Sequence, residues 1–207
     1  MNMHHIIITG ASRGIGHATA LLYASMGWNI SICSRHCDYQ MTQTQDAITA
    51  AGGQYFSFCG DMGNAADAEE FLAKAVQTFG TPEILVNNAG ISHIGLLQDM
   101  TPMQWDDIIR TNLSSVFYTS RVIIPYFLQE KHGRIINVSS VWGSVGASTE
   151  VAYSTTKGGI NAFTKALAKE LAPSGIPVNA VACGMIDTSM NSFLDPEELA
   201  AVIDEIP

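Results

Sequence analysis

Short apolar runs alternate with longer stretches of helical periodicity along most of the chain. The runs fall at His4 to Thr9, Asn29 to Ser34, Gln54 to Gly60, Ile84 to Asn87, Arg134 to Ser139 and Pro177 to Ala182, each dominated by Ile, Val or aromatic residues. Such near-continuous apolarity is what a strand shows when both of its faces are covered. Strands of this kind separated by helices predict βαβ units and a parallel sheet, an α/β, doubly wound, three-layer fold. The helix boundaries are legible as well. Asp61 to Asn64 precede the third helix, Thr101-Pro102 opens the fourth, and Gly52-Gly53 punctuates the exit from the second. The pattern shows no repeat, low-complexity segment or linker, so residues 1–207 read as one domain.

Composition narrows the function classes. With 207 residues, 47% of them hydrophobic and 14% charged, the chain can bury one sizeable core. Its 10 basic against 19 acidic residues give a net charge of -9, which argues against nucleic-acid or anionic-membrane partners, since phosphate neutralisation needs clustered Lys and Arg. Cys33, Cys37, Cys59 and Cys183 form no C-x-x-C pair, which suits reduced thiols and a cytoplasmic setting. The start, Met1-Asn-Met-His-His, runs straight into the first apolar segment without the features of a signal peptide, and no run is long enough to span a bilayer. No metal site is expected.

The first strand ends in Thr9-Gly10-Ala11-Ser12-Arg13-Gly14-Ile15-Gly16 and leads into a helical pattern from His17 to Met26. Glycines at 10, 14 and 16 permit a sharp turn and close approach of a ligand, and the helix N-terminus behind them offers unpaired N–H groups to a pyrophosphate. The spacing differs from G-x-G-x-x-G, but the turn lies at the strand-to-helix junction a nucleotide cradle requires. Further along, Tyr153 and Lys157 stand four residues apart in a helical pattern, hence on one face, where an ammonium favours the phenolate form of Tyr. An unperturbed Tyr titrates near about 10, so such a neighbour is what proton exchange at neutral pH calls for.

The cradle TGxxxGxG, then Asn87-Asn88-Ala89-Gly90 after the fourth strand, Ser140 near the fifth and Tyr153-x-x-x-Lys157 occur in the order and spacing of the short-chain dehydrogenase/reductase family, which the chain resembles over nearly its whole length. The resemblance implies a Rossmann-like fold and a dinucleotide held by Gly10, Ser12, Arg13, Gly14, Ile15 and Gly16. It also implies that Asn88, Ala89 and Gly90 line the adenosine side, that Asp61 holds the adenine with Met62 against the ring, and that Gly184, Ile186 and Thr188 approach the nicotinamide. Cys183 stands where the family commonly has Pro.

An acid at the end of the second strand would mark an NAD site; here Ser34 and Arg35 occupy it. Arg35 and Arg13 suit a 2′-phosphate, so NADP(H) is expected over NAD(H), with Asp38 working against that choice.

By position the resemblance implies Asn112, Ser140, Tyr153 and Lys157 as the catalytic set. Tyr153 is the general acid, Ser140 orients the carbonyl, Lys157 binds ribose and lowers the Tyr pKa, and Asn112 holds a proton-passing water. Ser139 points the other way in strand alternation, and Ser140 has the thirteen-residue separation from Tyr153.

Within the family the chain most resembles bacterial 3-oxoacyl-(acyl-carrier-protein) reductases of fatty acid biosynthesis. That implies a carrier-bound or small-molecule carbonyl substrate and a homodimer or homotetramer packed through helices at Thr101 to Glu130 and Glu150 to Leu171. Lys131 matches one carrier-docking basic position, whereas Ser174 stands where another basic residue is expected. The family's usual last helix and seventh strand are not found before Pro207, so a sheet without that strand is expected. Residues 185–207 read as a substrate lid, with Met185, Met190, Phe193 and Leu194 facing Ile91, Ile94, Leu96, Val141 and Trp142, and a short helix starting at Asp195. Reduction of another secondary alcohol's ketone (sugar, steroid or diketone) stays open, as do a non-catalytic nucleotide-sensing regulator and an assembly protein.

Overall fold

The computed structural model describes residues 4–188 and Glu197. Its strands are β1 (His5–Ile8), β2 (Asn29–Ser34), β3 (Gln54–Cys59), β4 (Ile84–Asn87), β5 (Arg134–Ser140) and β6 (Val178–Cys183). The helices are α1 (Gly14–Ser25), α2 (Tyr39–Ala50), α3 (Ala65–Phe79), α4 (Pro102–Ile109), α5 (Ser115–Glu130), α6 (Trp142–Val145) and α7 (Val151–Leu171). All strand pairs are parallel, in the order β3-β2-β1-β4-β5-β6. The order reverses between β1 and β4, which opens a crevice beyond their carboxyl ends. The expected strands all form, with β5 running one residue further, to Ser140, and β6 to Cys183.

Alternation along the strands fills two cores. Ile7 and Leu85 face Phe71 of α3, Phe127 of α5 and Leu171 of α7. Ile6, Ile8, Ile30 and Ile32 face Ala20 and Ala24 of α1 and Ile48 of α2, where small residues let α1 come close to the sheet. Between the strands runs a buried polar ladder. Asn87 donates to Asn137 Oδ1 at 2.9 Å and accepts from Thr119 at 2.6 Å, while Asn137 donates to Thr164 at 2.9 Å. Among the described residues no buried side-chain polar atom lacks a partner, as a low-dielectric interior demands.

The helical pattern from Thr101 to Glu130 is not one uninterrupted α-helix. Thr101 and Gln104 form a capping box at the start of α4, and a π turn, Arg110–Ser114, separates α4 from α5. Its inserted residue redirects the side chains that follow, a feature frequent at functional sites. Of the expected lid, Met190, Phe193, Leu194 and Asp195 lie outside the described residues. Among the described residues no helix is long and apolar enough to cross a membrane.

Candidate active site

The glycine turn is built for backbone contact. Gly10 and Gly14 have φ of +64° and +57°, and a Cβ on Gly10 would lie 2.7 Å from Ala89 Cα. On Gly16 it would lie 2.6 Å from both the Gly10 carbonyl oxygen and Asn88 Nδ2. Asn88 Nδ2 donates to the carbonyls of Thr9 and Gly10 at 2.9 and 2.8 Å, and Thr9 Oγ1 accepts from the N–H groups of Asn88 and Ala89, both at 3.0 Å. The Asn-Ala-Gly segment is thereby sewn to the turn. Arg13, the N-cap of α1, makes no side-chain cap bond, and the first turn carries no acid. Those helix N–H groups face the cleft and suit an anionic phosphate.

The cleft itself has a volume of about 650 Å³. Gly10, Ser12, Arg13, Gly14, Ile15, Ser34, Arg35, Asp61, Met62, Asn88, Ala89, Gly90 and Thr188 all line it, as expected. Gly16 sits behind the lining, as the spacer just described. Ile186 instead lines a smaller neighbouring cavity against α1, and Gly184 is exposed with nothing within 4 Å of its Cβ position. Met62 touches the cleft while its side chain is buried in the Phe71 core, so it offers a ring little free surface.

The expected catalytic residues, Asn112, Ser140, Tyr153 and Lys157, are not in the lining of this cleft; Asn112 and Lys157 lie just behind Gly90 in its wall. Ser140, at the tip of β5, accepts from the Trp142 N–H at 3.2 Å through its hydroxyl, and that hydroxyl works to lower the pKa of the Tyr153 phenol. Ser139 takes a different partner set, donating to Asn161 Oδ1 at 2.7 Å and to the Lys157 carbonyl. It anchors α7, and Gly143 does the same by packing where a Cβ would come within 2.6 Å of that carbonyl carbon. The Lys157 ammonium lies 5.5 Å from the Tyr153 ring centroid and donates to the Val138 carbonyl at 2.7 Å. A Cβ on Gly90 would sit 3.7 Å from this Nζ, which joins the pair to the cleft wall.

The electrostatics correct one expectation. Burial pushes the Tyr153 phenol above its ordinary value, against the Ser140 hydrogen bond and with help from Glu150 and Cys183. Lys157 is not among the groups that move it, and burial brings that ammonium itself from 10.5 to about 8, against the opposing influence of Cys183. Asn112 sits deeper than the others. It is fully buried in the π turn, donating to the Ile91 carbonyl at 2.9 Å and to Thr156 Oγ1 at 3.1 Å and accepting from the Ile91 N–H at 2.8 Å. With its side chain so committed, Asn112 fixes the loop after Gly90 against α7.

Within the lining, Arg35 and Asp61 are already engaged. Arg35 Nη2 donates to Thr111 Oγ1 at 2.5 Å and to Asp107 at 3.4 Å, and its Nε lies 3.6 Å from Asp61. Arg110 donates to Asp61 at 2.5 Å and to Asp107 at 2.7 Å. Burial works to raise the Asp61 carboxyl, but the Gly63 N–H, Arg110 and Arg35 together hold it below its ordinary value. Arg13, by contrast, is exposed on the cleft rim.

Sequence reasoning missed Asp107, Arg110, Thr111, Thr156 and Glu150. The last is half-buried, with its pKa raised by burial against a 3.1 Å hydrogen bond from Ser92. The i, i+3 and i, i+4 spacing of Asp107, Arg110 and Thr111 was the one available signal, and it reads as an ordinary solvated helix face.

Comparison with known proteins agrees with this geometry. The short chain dehydrogenase family profile matches residues 4–199. Over 201 residues the chain is 38% identical to a Staphylococcus aureus 3-oxoacyl-(acyl-carrier-protein) reductase, covering 97% of this chain and 82% of that protein. It is 37% identical over 201 residues to the Escherichia coli K12 protein of the same name, covering 97% and 81%. A crystal structure from Sinorhizobium meliloti 1021, described as of a short-chain alcohol dehydrogenase, superposes with a TM-score of 0.92 at 30% identity, covering 99% of this chain and 81% of that one. The chain belongs to the short-chain dehydrogenase family and is an NAD(P)-dependent oxidoreductase.

Proposed function

We propose that the chain reduces the ketone of a 3-oxoacyl thioester carried on an acyl carrier, with NADPH as cofactor and Tyr153 as proton donor. The observation that carries this reading is Ser140 and Tyr153 set beside the buried Lys157 ammonium, which lies behind Gly90 in the wall of a cleft whose glycine turn fits a dinucleotide. The similarity to 3-oxoacyl reductases supplies the substrate class. A nicotinamide held in the cleft would be the source of the hydride that the carbonyl carbon accepts. The Ser140 hydroxyl orients the carbonyl oxygen, and as negative charge grows there the Tyr153 phenol gives up its proton to it. A phenol, titrating ordinarily near about 10, holds that proton at neutral pH until the oxygen takes it. The Lys157 ammonium, held by the Val138 carbonyl, then faces the phenolate left behind. Asn112 is a positioning residue for the loop and for α7.

Arg13 and Arg35 are assigned to the 2′-phosphate. Exposed Val141, Trp142, Ile94 and Leu96 offer an apolar rim to an acyl chain. Exposed Lys131 at the end of α5 is the proposed carrier contact, with Ser174 adding no charge. Exposed Phe117 on α5 and Val151 on α7 suit packing against a second copy.

The test is the loss of NADPH and NADH absorbance with a panel of 3-oxoacyl thioesters, a diketone, a sugar and a steroid ketone. Fastest turnover is expected for a 3-oxoacyl thioester with NADPH. An inert thioester beside a reactive sugar or steroid overturns the substrate, faster turnover with NADH overturns the cofactor, and cofactor binding without any turnover favours a sensor.

A further inference from the structure

Arg35, the residue assigned to the 2′-phosphate, does not stand alone at the cleft mouth. Its guanidinium is shared between Thr111, Asp107 and Asp61, and Arg110 reaches across from outside the cleft to hold both carboxylates. Two guanidinium groups and two carboxylates thus form a closed ring of zero net charge. The ring is built into the fold. Arg35 follows β2, Asp61 follows β3, and Asp107, Arg110 and Thr111 come from α4 and the π turn that ends it. The Arg110 stem lies on Gly63, where a Cβ would approach to 2.9 Å, so only glycine admits it there. Arg35 and Asp61 line the cleft; Asp107 and Arg110 do not.

A 2′-phosphate brings close to two negative charges, and a cation whose charge is already cancelled attracts it weakly. The field at that subsite therefore depends also on residues that do not line the cleft. We propose that Asp107 and Arg110 are positioning residues that set the discrimination between phosphorylated and unphosphorylated dinucleotide by acting through Arg35. Asp107 restrains Arg35, and Arg110 relieves that restraint by sharing the carboxylates. This rests on the assignment of a nicotinamide dinucleotide to the cleft, and not on which of the two cofactors the wild type prefers.

The sign of the effect follows from the ring charge. Asp107→Asn keeps a hydrogen-bond acceptor and leaves the ring at +1; Arg110→Gln leaves it at −1. Dissociation constants for NADPH and NADH, measured by calorimetry on the full chain with circular dichroism as a folding check, give the ratio of NADH to NADPH constants. Asp107→Asn is expected to raise that ratio about three- to tenfold and Arg110→Gln to lower it by a similar factor, both shrinking at high salt. A structural role alone would weaken both cofactors together and leave the ratio fixed. A fixed ratio, or two variants moving it in the same direction, overturns the proposal. A wild type that prefers NADH overturns the cofactor assignment but still requires the opposite shifts, whereas a wild type that binds neither cofactor overturns both.

Discussion

Lys157 and Arg110 are cations packed behind the wall of one cleft, against Gly90 and Gly63, yet their surroundings have little in common. Lys157 is 4% exposed, and among the described residues no carboxylate lies within ion-pair distance of it. Arg110 is 44% exposed and grips two carboxylates. Burial moves the first group's pKa to about 8, whereas hydrogen bonding to Asp61 raises that of the second, which is protonated in any case. The catalytic set thus gains its chemistry by desolvation, which moves protons and costs stability. The adenosine subsite uses paired charge, which fixes geometry and shapes a field at little cost. Each perturbation below asks whether that division holds.

The largest effect is expected at Tyr153. Tyr153→Phe removes the hydroxyl and leaves the ring beside Lys157, so kcat should fall about 10²- to 10⁴-fold, the range for losing a positioned proton donor. NADPH affinity should change little by comparison. A stopped-flow or steady-state assay decides it, and turnover within a few-fold of wild type would remove Tyr153 from the role.

Next in size is the cost of burying Lys157. Its folded pKa of about 8 lies below the unfolded 10.5, so between those values the unfolded chain holds more protons and stability rises with pH. At neutral pH, below that window, the buried ammonium therefore costs up to about 3 kcal/mol. Lys157→Met removes that cost but strips the Val138 carbonyl of its donor, worth about 1–3 kcal/mol in the other direction. The variant should be inactive yet melt at least as high as wild type at pH 7, with its advantage shrinking as pH rises from 8 towards 10.5. A variant clearly less stable than wild type at pH 7 would mean that the ammonium stabilises the fold.

The same contrast explains what could be read in the sequence. The sheet was legible because a strand covered on both faces leaves an unbroken apolar run, as at Ile6-Ile7-Ile8. The glycine turn was legible because only glycine fits where Gly10 meets Ala89 and Gly16 meets Asn88. Ser140, Tyr153 and Lys157 were found by spacing, since one helix face and one strand tip bring them together. Their electrostatics were not legible, because i, i+4 spacing says two groups are close and nothing about how much solvent each has lost. The charge ring was missed for a related reason. Arg35 and Asp61 are separated by 26 positions and the ring's other half by some 46 more, and only the sheet order and the π turn make them neighbours. At Asn112 spacing gave the position, but its partners Ile91 and Thr156 depend on tertiary packing.

The smallest effect is expected in the stability of the ring itself. Its side chains are 22% to 44% exposed, and partly exposed ion pairs contribute about 0–1 kcal/mol because water screens them and the long side chains lose entropy when fixed. Asp107→Asn and Arg110→Gln should each melt within about 2–4 °C of wild type, since 1 kcal/mol corresponds to that shift in a chain of this size. Their double-mutant coupling energy should stay below about 1 kcal/mol. Coupling above about 2 kcal/mol would mean that the ring clamps the Asp61–Gly63 turn and contributes to the fold much as a buried network does. The contrast between the two sites would then fail at this one. A small coupling together with opposite shifts in cofactor discrimination would separate the ring's electrostatic role from its structural one.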